Sequence, residues 1–195
     1  TARKGVCYLG IAFRMLQEDK ATACCAAQMF LDSGDGIVFL GDYGPWYSPE
    51  QKQFCLSKEA AHSLLSGILH TYSELEGQPL TEIFLHSRSN ISADEFAGYQ
   101  SACPAGISLV GIRIRDNRDG FRLFRPGTRP VIRGTFLQDS DRSGYLWAHG
   151  FKPRLMTYDG NEVPAPLRID IQHSPAAIVQ VGKAVLSLSK QKYNT

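Results

Sequence analysis

Residues 5–13, GVCYLGIAF, form an almost unbroken apolar run, the pattern of a strand buried on both faces of a sheet. A second apolar run spans Ala23 to Leu31. The turn signal Ser33-Gly34-Asp35-Gly36 then leads into Ile37-Val38-Phe39-Leu40, which predicts a hairpin and three antiparallel strands at the start of the chain. After a loop rich in glycine, proline and aromatics (41–49), Ser57 is placed to cap a helix. Its apolar face is Ala61, Leu64, Leu65, Ile68 and Leu69, recurring at three and four residues through about Leu75. Glu82 to His86 reads as a short strand, Ser92-x-x-Glu95 as a capping box opening a second helix, and Ile107 to Ile114 as another strand.

Past residue 120 the pattern breaks into short pieces. Phe121–Phe124, Val131–Thr135 and Tyr145–His149 are separated by Gly, Pro and Asp and read as an added β-meander, with Leu167–Ile171 as one more strand. Ser174-Pro175 starts a last helix, its proline in the first turn, with Ile178, Val181, Val185 and Leu186 as the apolar face. Three strands, a crossover helix, a strand, a helix and a strand are the element order of an RNase H-like core: α/β, a mixed sheet flanked by helices.

The length of 195 residues fits one globular domain, taken as 1–195. No apolar stretch approaches the roughly 20 residues of a membrane span and no signal-peptide core is evident, so a soluble, cytoplasmic protein is expected. Cys7, Cys24, Cys25, Cys55 and Cys103 form no C-x-x-C pair, and four of them lie in apolar or helical runs. Buried reduced thiols are expected in preference to disulfides or zinc ligands.

Charge changes the picture more than composition does. The net charge is only +2, yet residues 113–154 hold ten Lys/Arg against four Asp/Glu, leaving eleven against fifteen in the rest. Seven arginines (Arg113, Arg115, Arg118, Arg122, Arg125, Arg129 and Arg133) fall within 21 positions. Arg113 and Arg115 alternate with Ile112 and Ile114, so a strand sends both guanidinium groups to one face. Arginine suits phosphate because its planar fork donates two parallel hydrogen bonds. The competing reading is a charged strand edge that resists aggregation, with Asp116 and Asp119 pairing with several of the arginines. Trp46 and Tyr47 could stack on bases or clamp onto their own domain. His62 and His70, eight residues apart on the first helix without a third ligand, read as exposed histidines, and Gly34-Asp35-Gly36 lacks the helix and lysine of a phosphate loop.

Four local patterns, in order, make the chain resemble the PIWI domain of a short prokaryotic Argonaute. They are Tyr8-Leu9-Gly10-Ile11-Ala12-Phe13; Ala26-Ala27-Gln28-Met29-Phe30 followed by Gly34-Asp35-Gly36-Ile37-Val38; Ile83-Phe84-Leu85-His86; and Leu186 through Asn194. A slicing PIWI domain carries Gly-Ile-Asp on the first strand and His-Arg-Asp after the fourth, because carboxylates must hold two divalent ions about 4 Å apart. Here the matching positions are Ala12 and Arg88, and the last ligand falls near Arg168. The resemblance therefore implies no catalytic residues and no slicing, with Ala12, Arg88 and Arg168 as degenerate positions.

The same resemblance implies nucleic-acid binding by Arg113, Arg115, Arg122, Arg125 and Arg133, and by a second cluster of His149, Lys152 and Arg154. It implies a guide RNA, a DNA target and an APAZ-containing partner with a TIR, sirtuin-like or nuclease effector, acting in defence against plasmids or phage. It further implies a fragment lacking the MID domain and the C-terminal helix, no cofactor within these residues, and Mg²⁺ at the guide 5′ end in the full protein. Two other readings stand beside it: a nuclease using unorthodox acids among Asp19, Asp32 and Asp35, with Glu18 nearby, and a PIWI-shaped dimerisation surface.

Overall fold

A computed structural model describes residues 5–15, 22–30, 36–74, 79–117 and 120–191. The chain divides into two compact units, one of residues 1–113 with 172–174 and one of 114–171 with 175–195.

In the first unit the apolar runs become strands where the sequence pattern placed them: β1 Val6–Met15, β2 Ala23–Phe30, β3 Gly36–Gly44, β6 Glu82–Ser87 and β7 Ser108–Asp116 (of which residues 108–113 belong here). A small hairpin, β4 Tyr47–Ser48 and β5 Gln53–Phe54, follows β3. The sheet order is β3-β2-β1-β6-β7. β2 runs antiparallel to both β1 and β3, whereas β6 runs parallel to both β1 and β7, so the sheet is mixed. The parallel step requires a crossover, supplied by α1 Lys58–Glu74. Ser57 caps it as its spacing predicts, its hydroxyl accepting from the Ala60 amide at 3.1 Å.

One face of the sheet is covered by α1 and α2 (Ala93–Ala102). Cys7, Leu9 and Ile11 of β1, with Ile83 and Leu85 of β6, pack there against Leu64, Leu65, Ile68 and Phe96. The capping box on α2 closes in both directions. Ser92 accepts from the Glu95 amide, and the Glu95 carboxylate accepts from the Ser92 backbone. Glu95 is only 2% exposed, and burial raises its carboxyl above the usual range against the hydrogen bonds it accepts from Cys55 and Tyr99.

The two helices approach so closely because position 98 has no side chain. A Cβ on Gly98 would lie 2.2 Å from the Lys58 carbonyl oxygen and 2.9 Å from Ala61 Cβ. Gly98→Ala is therefore expected to cost about 1–3 kcal/mol despite the better helix propensity of alanine, read as a lowered denaturant midpoint. A midpoint at or above that of the native chain would show that α1 and α2 can part without loss.

Of the thiols expected to be buried, two are so and two only partly, and the side chain of Cys24 lies outside the described residues. Cys7 and Cys25 are buried, Cys55 and Cys103 half-buried, and all four are free. His62 and His70 are exposed on α1. Trp46 packs against the core and donates from its indole to the Asp42 carbonyl, while Tyr47 sits 5.0 Å from the Phe54 ring, so both aromatics clamp onto their own unit.

In the second unit β8 Phe136–Gln138, β9 Ser143–Leu146 and β10 Leu167–His173 (of which residues 167–171 belong here) are consecutive antiparallel neighbours. The meander is real, but its pieces differ from those expected. Phe121–Phe124 is not a strand: Gly120 and Gly127 take positive φ, Pro126 interrupts, and the Phe121 ring turns in toward Tyr145 and Trp147. Val131–Thr135 contributes a single bridge, Ile132 to Phe151, and Tyr145–His149 leaves the strand after Leu146. The last helix, α3, runs Ile178–Gln191. Pro175 lies ahead of it and outside the first turn, since the Ala177 carbonyl accepts the first helical bonds. Ile178, Val181 and Val185 are buried, and Gly182 admits the Phe136 ring.

Candidate nucleic-acid interface

The β1–β6 register fixes where Ala12 and Arg88 lie in the first unit. The last parallel pair is Ile11↔Ser87, and the next residue on each strand is Ala12 and Arg88. Both are exposed, and Ala12 also faces Ala26 across β2. Within β1 and just past the end of β6, these positions thus carry a methyl group and a guanidinium, neither of which can ligate a divalent cation. No group of three or more His, Cys, Asp or Glu side chains able to hold a metal occurs among the described residues. Glu18, Asp19, Asp32 and Asp35, together with Arg118 and Asp119, lie outside them.

Beneath Arg88 the β6 side chains alternate. Ser87 is buried toward the helices, whereas His86 points to the opposite face beside Tyr8, ring centroids 5.8 Å apart. Arg113 on β7 donates from Nε to the Arg88 carbonyl at 3.3 Å.

In the second unit the arginines sort by what already holds them. Arg115 lies 3.8 Å from Asp170. Arg168 bonds the same carboxylate at 3.0 Å, reaches Asp139 at 3.3 Å and donates to the Tyr145 hydroxyl at 2.6 Å. These two arginines serve one carboxylate-centred network, so acids do compete for the arginines, with Asp170 and Asp139 as acids the sequence reading did not name; Asp119 lies outside the described residues. Arg133 is committed as well: Nε donates to the Ala148 carbonyl at 2.9 Å and Nη2 to Ser189 at 3.2 Å, tying the 148–150 loop to α3.

That tie shapes a cavity of about 210 Å³ lined by Arg133, His149, Gly150, Lys152, Tyr158 and Asp159. Three of the expected binding residues meet in it. Lys152 is paired there with Asp159, and Gly150 permits the close approach of Val131 and Arg133 backbone atoms to its α-carbon. Arg125 lines a neighbouring groove of about 330 Å³, which shares Tyr158 and Gly160 with the first. Arg125 and Arg129 both lie over the Phe151 ring, at 5.4 and 4.6 Å from its centroid. Arg122 and Arg154 are exposed and join neither cavity.

Sequence reasoning missed Tyr158, Asp159, Asn161 and Glu162. The one available signal was Asp159-Gly160, a turn dipeptide that folds a short loop back along the basic pocket.

No family model matches the chain, and no curated protein matches it in sequence. Its backbone superposes on the Argonaute of Aquifex aeolicus with a TM-score of 0.66 at 16% identity, over 97% of this chain and 25% of that one. The fold is that of an Argonaute PIWI region. The PIWI likeness extends to Clostridium butyricum Argonaute bound to a guide DNA and a 19-mer target DNA (TM-score 0.66, 18% identity, 95% of this chain and 23% of that one). It also extends to Marinitoga piezophila Argonaute in complex with a 5′ OH guide RNA (0.63, 7%, 96% and 26%). The chain spans about a quarter of the length of these Argonautes, and at such identities the likeness establishes the PIWI fold alone.

Proposed function

We propose that this chain is the PIWI part of a short prokaryotic Argonaute that holds a guide–target duplex without cutting it. The carrying observation is the juxtaposition of Ala12 and Arg88 one residue beyond the last β1–β6 pair, where the two-metal mechanism requires carboxylate oxygens. A methyl group offers no ligand and a guanidinium opposes a cation, so the residues present do not fit the ion pair of a slicing site. The pocket lined by Arg133, His149 and Lys152 supports the binding half of the reading, since guanidinium, imidazole and ammonium groups gathered at one cavity are the side-chain types that phosphates meet.

In this reading an RNA guide selects a DNA target, and the signal passes to an APAZ-containing partner bearing a TIR, sirtuin-like or nuclease effector. The setting is cytoplasmic defence against plasmids or phage. Any Mg²⁺ belongs to the guide 5′ end in the complete protein.

The test uses the complete protein with its genomic neighbour, isolated from cells. Short RNA should co-purify, and the loaded complex should bind a complementary DNA strand without cleaving it. Alanine at Arg122, Lys152 and Arg154, side chains on which the core does not depend, should weaken that binding. The slope of log affinity against log salt should become shallower by about one for each phosphate that the variant no longer neutralises. Absence of bound nucleic acid would refute the binding reading. Divalent-ion-dependent cleavage that disappears in Asp35→Ala would refute the non-cutting one.

A further inference from the structure

The groove beside the basic pocket has a composition that phosphate binding does not explain. Phe124 stands on its lining with 74% of its surface exposed, on a loop whose other aromatic, Phe121, is turned inward. A solvent-facing phenyl ring on a groove wall offers a face on which a planar ring can stack. Leu123, Pro130 and Val163 extend the apolar surface, and Arg125 and Arg129 flank it, held in place by the Phe151 ring. The Tyr158–Glu162 loop also reaches this groove and is fixed by the Tyr158 hydroxyl donating to the Glu162 carbonyl. This brings Asn161 and Glu162 to the lining, and the Glu162 carboxylate has no cation paired with it among the described residues.

An aromatic face, flanking guanidinium planes and a carboxylate match an unpaired nucleobase and not a backbone. The carboxylate also selects among bases. It accepts only, and guanine is the base that offers two adjacent donors, N1–H and the exocyclic amine, to one acceptor pair. Because the groove and the basic pocket share Tyr158 and Gly160, a base in the first sets its own phosphate toward Lys152 and His149 in the second.

We infer that this groove is a seat for a single unstacked guanine, with Phe124 as the stacking platform and Glu162 as the reader of its hydrogen-bonding edge. The inference rests on the nucleic-acid-binding reading above and specifies what that surface recognises.

The experiment measures binding of a short oligothymidylate, with and without one central guanine, to the complete protein by fluorescence anisotropy. The guanine-bearing strand should bind about tenfold tighter, and inosine, lacking the exocyclic amine, should forfeit much of that gain. Phe124→Ala should lower affinity for the guanine strand roughly tenfold or more, as expected for loss of a base stack, while Phe124→Trp keeps it. Glu162→Gln should erase the guanine preference, so that the two strands bind alike. An unchanged denaturation midpoint for Phe124→Ala shows that a loss is local. Equal affinity for the two strands, or full guanine preference in Phe124→Ala, overturns the guanine seat. If at the same time Lys152→Ala still weakens binding, the broader nucleic-acid reading stands. If neither strand binds the native protein, both fall.

Discussion

Truncating Trp147 to alanine is expected to cost about 3–5 kcal/mol of stability, the range for a large aromatic removed from a packed interior. Trp147 is fully buried. Its indole N–H donates to the Pro164 carbonyl at 3.2 Å, its amide donates to Thr135, and its carbonyl accepts from the Gly134 amide at 2.8 Å. The Phe121 ring leans on it at 6.0 Å. Alanine would keep the backbone bonds but leave a cavity and an unpaired Pro164 oxygen, so little of the loss can be recovered by relaxation. The functional consequence follows from sequence position. Ala148, His149 and Gly150 come next, and the last two line the basic pocket. Trp147→Ala should therefore lose nucleic-acid affinity at temperatures where the rest of the unit remains folded. Trp147→Phe, which keeps a ring and loses only the indole donor, should retain most of both properties. Chemical denaturation and binding at matched temperature check this. A Trp147→Ala chain with native midpoint and native affinity would mean the ring does not hold that wall.

The interior of the first unit was legible because its strands and helices carry their own periodicity. The run from Val6 to Ile11 and the Ser57 and Ser92 caps each state a local preference that tertiary packing then respects. The region 120–165 was less legible for a physical reason. Its conformation is set by glycines at positive φ and by side chains that bond backbone from far away, such as Arg133 to Ser189 and Trp147 to Pro164. Neither leaves a repeating pattern.

The arginine-rich stretch shows the same limit at the level of the site. Composition marked it as basic, but not which charges would be spent internally. Arg115 and Arg168 are held by Asp170, which lies 55 and two residues away along the chain, and only the first separation hides the pairing from a local reading. Arg125, which the sequence ranked with the phosphate binders, and Arg129 both lie over the Phe151 ring and line a partly apolar groove. Charge counting thus located the surface and overstated how many of its cations face outward. Ala12 and Arg88 are simpler to place, because each directly follows a member of the last β1–β6 pair, Ile11↔Ser87.

His86 supplies the second large effect, a pH dependence of stability. The residue is half-buried beside Tyr8, its Nε2 is buried without a hydrogen-bond partner among the described residues, and desolvation depresses its pKa from 6.5 to about 4. The neutral ring is thus the folded form. Between pH 6.5 and 4 the unfolded chain binds a proton at this position and the folded chain does not, so stability falls as pH falls. The full difference of about 2.5 pK units corresponds to roughly 3 kcal/mol, present above pH 6.5 and lost progressively toward pH 4. His86→Phe removes the titrating group and leaves a ring of similar size beside Tyr8. At neutral pH the substitution should change stability little, since it deletes a buried nitrogen to which the fold gives no partner. The diagnostic is the difference between the two unfolding curves: native and His86→Phe proteins should diverge steadily as pH drops through 6 and 5, with the variant the more stable. Parallel curves across that window would show that His86 accepts a proton without unfolding, and that the face of β6 opposite the helices is wetter than its packing indicates.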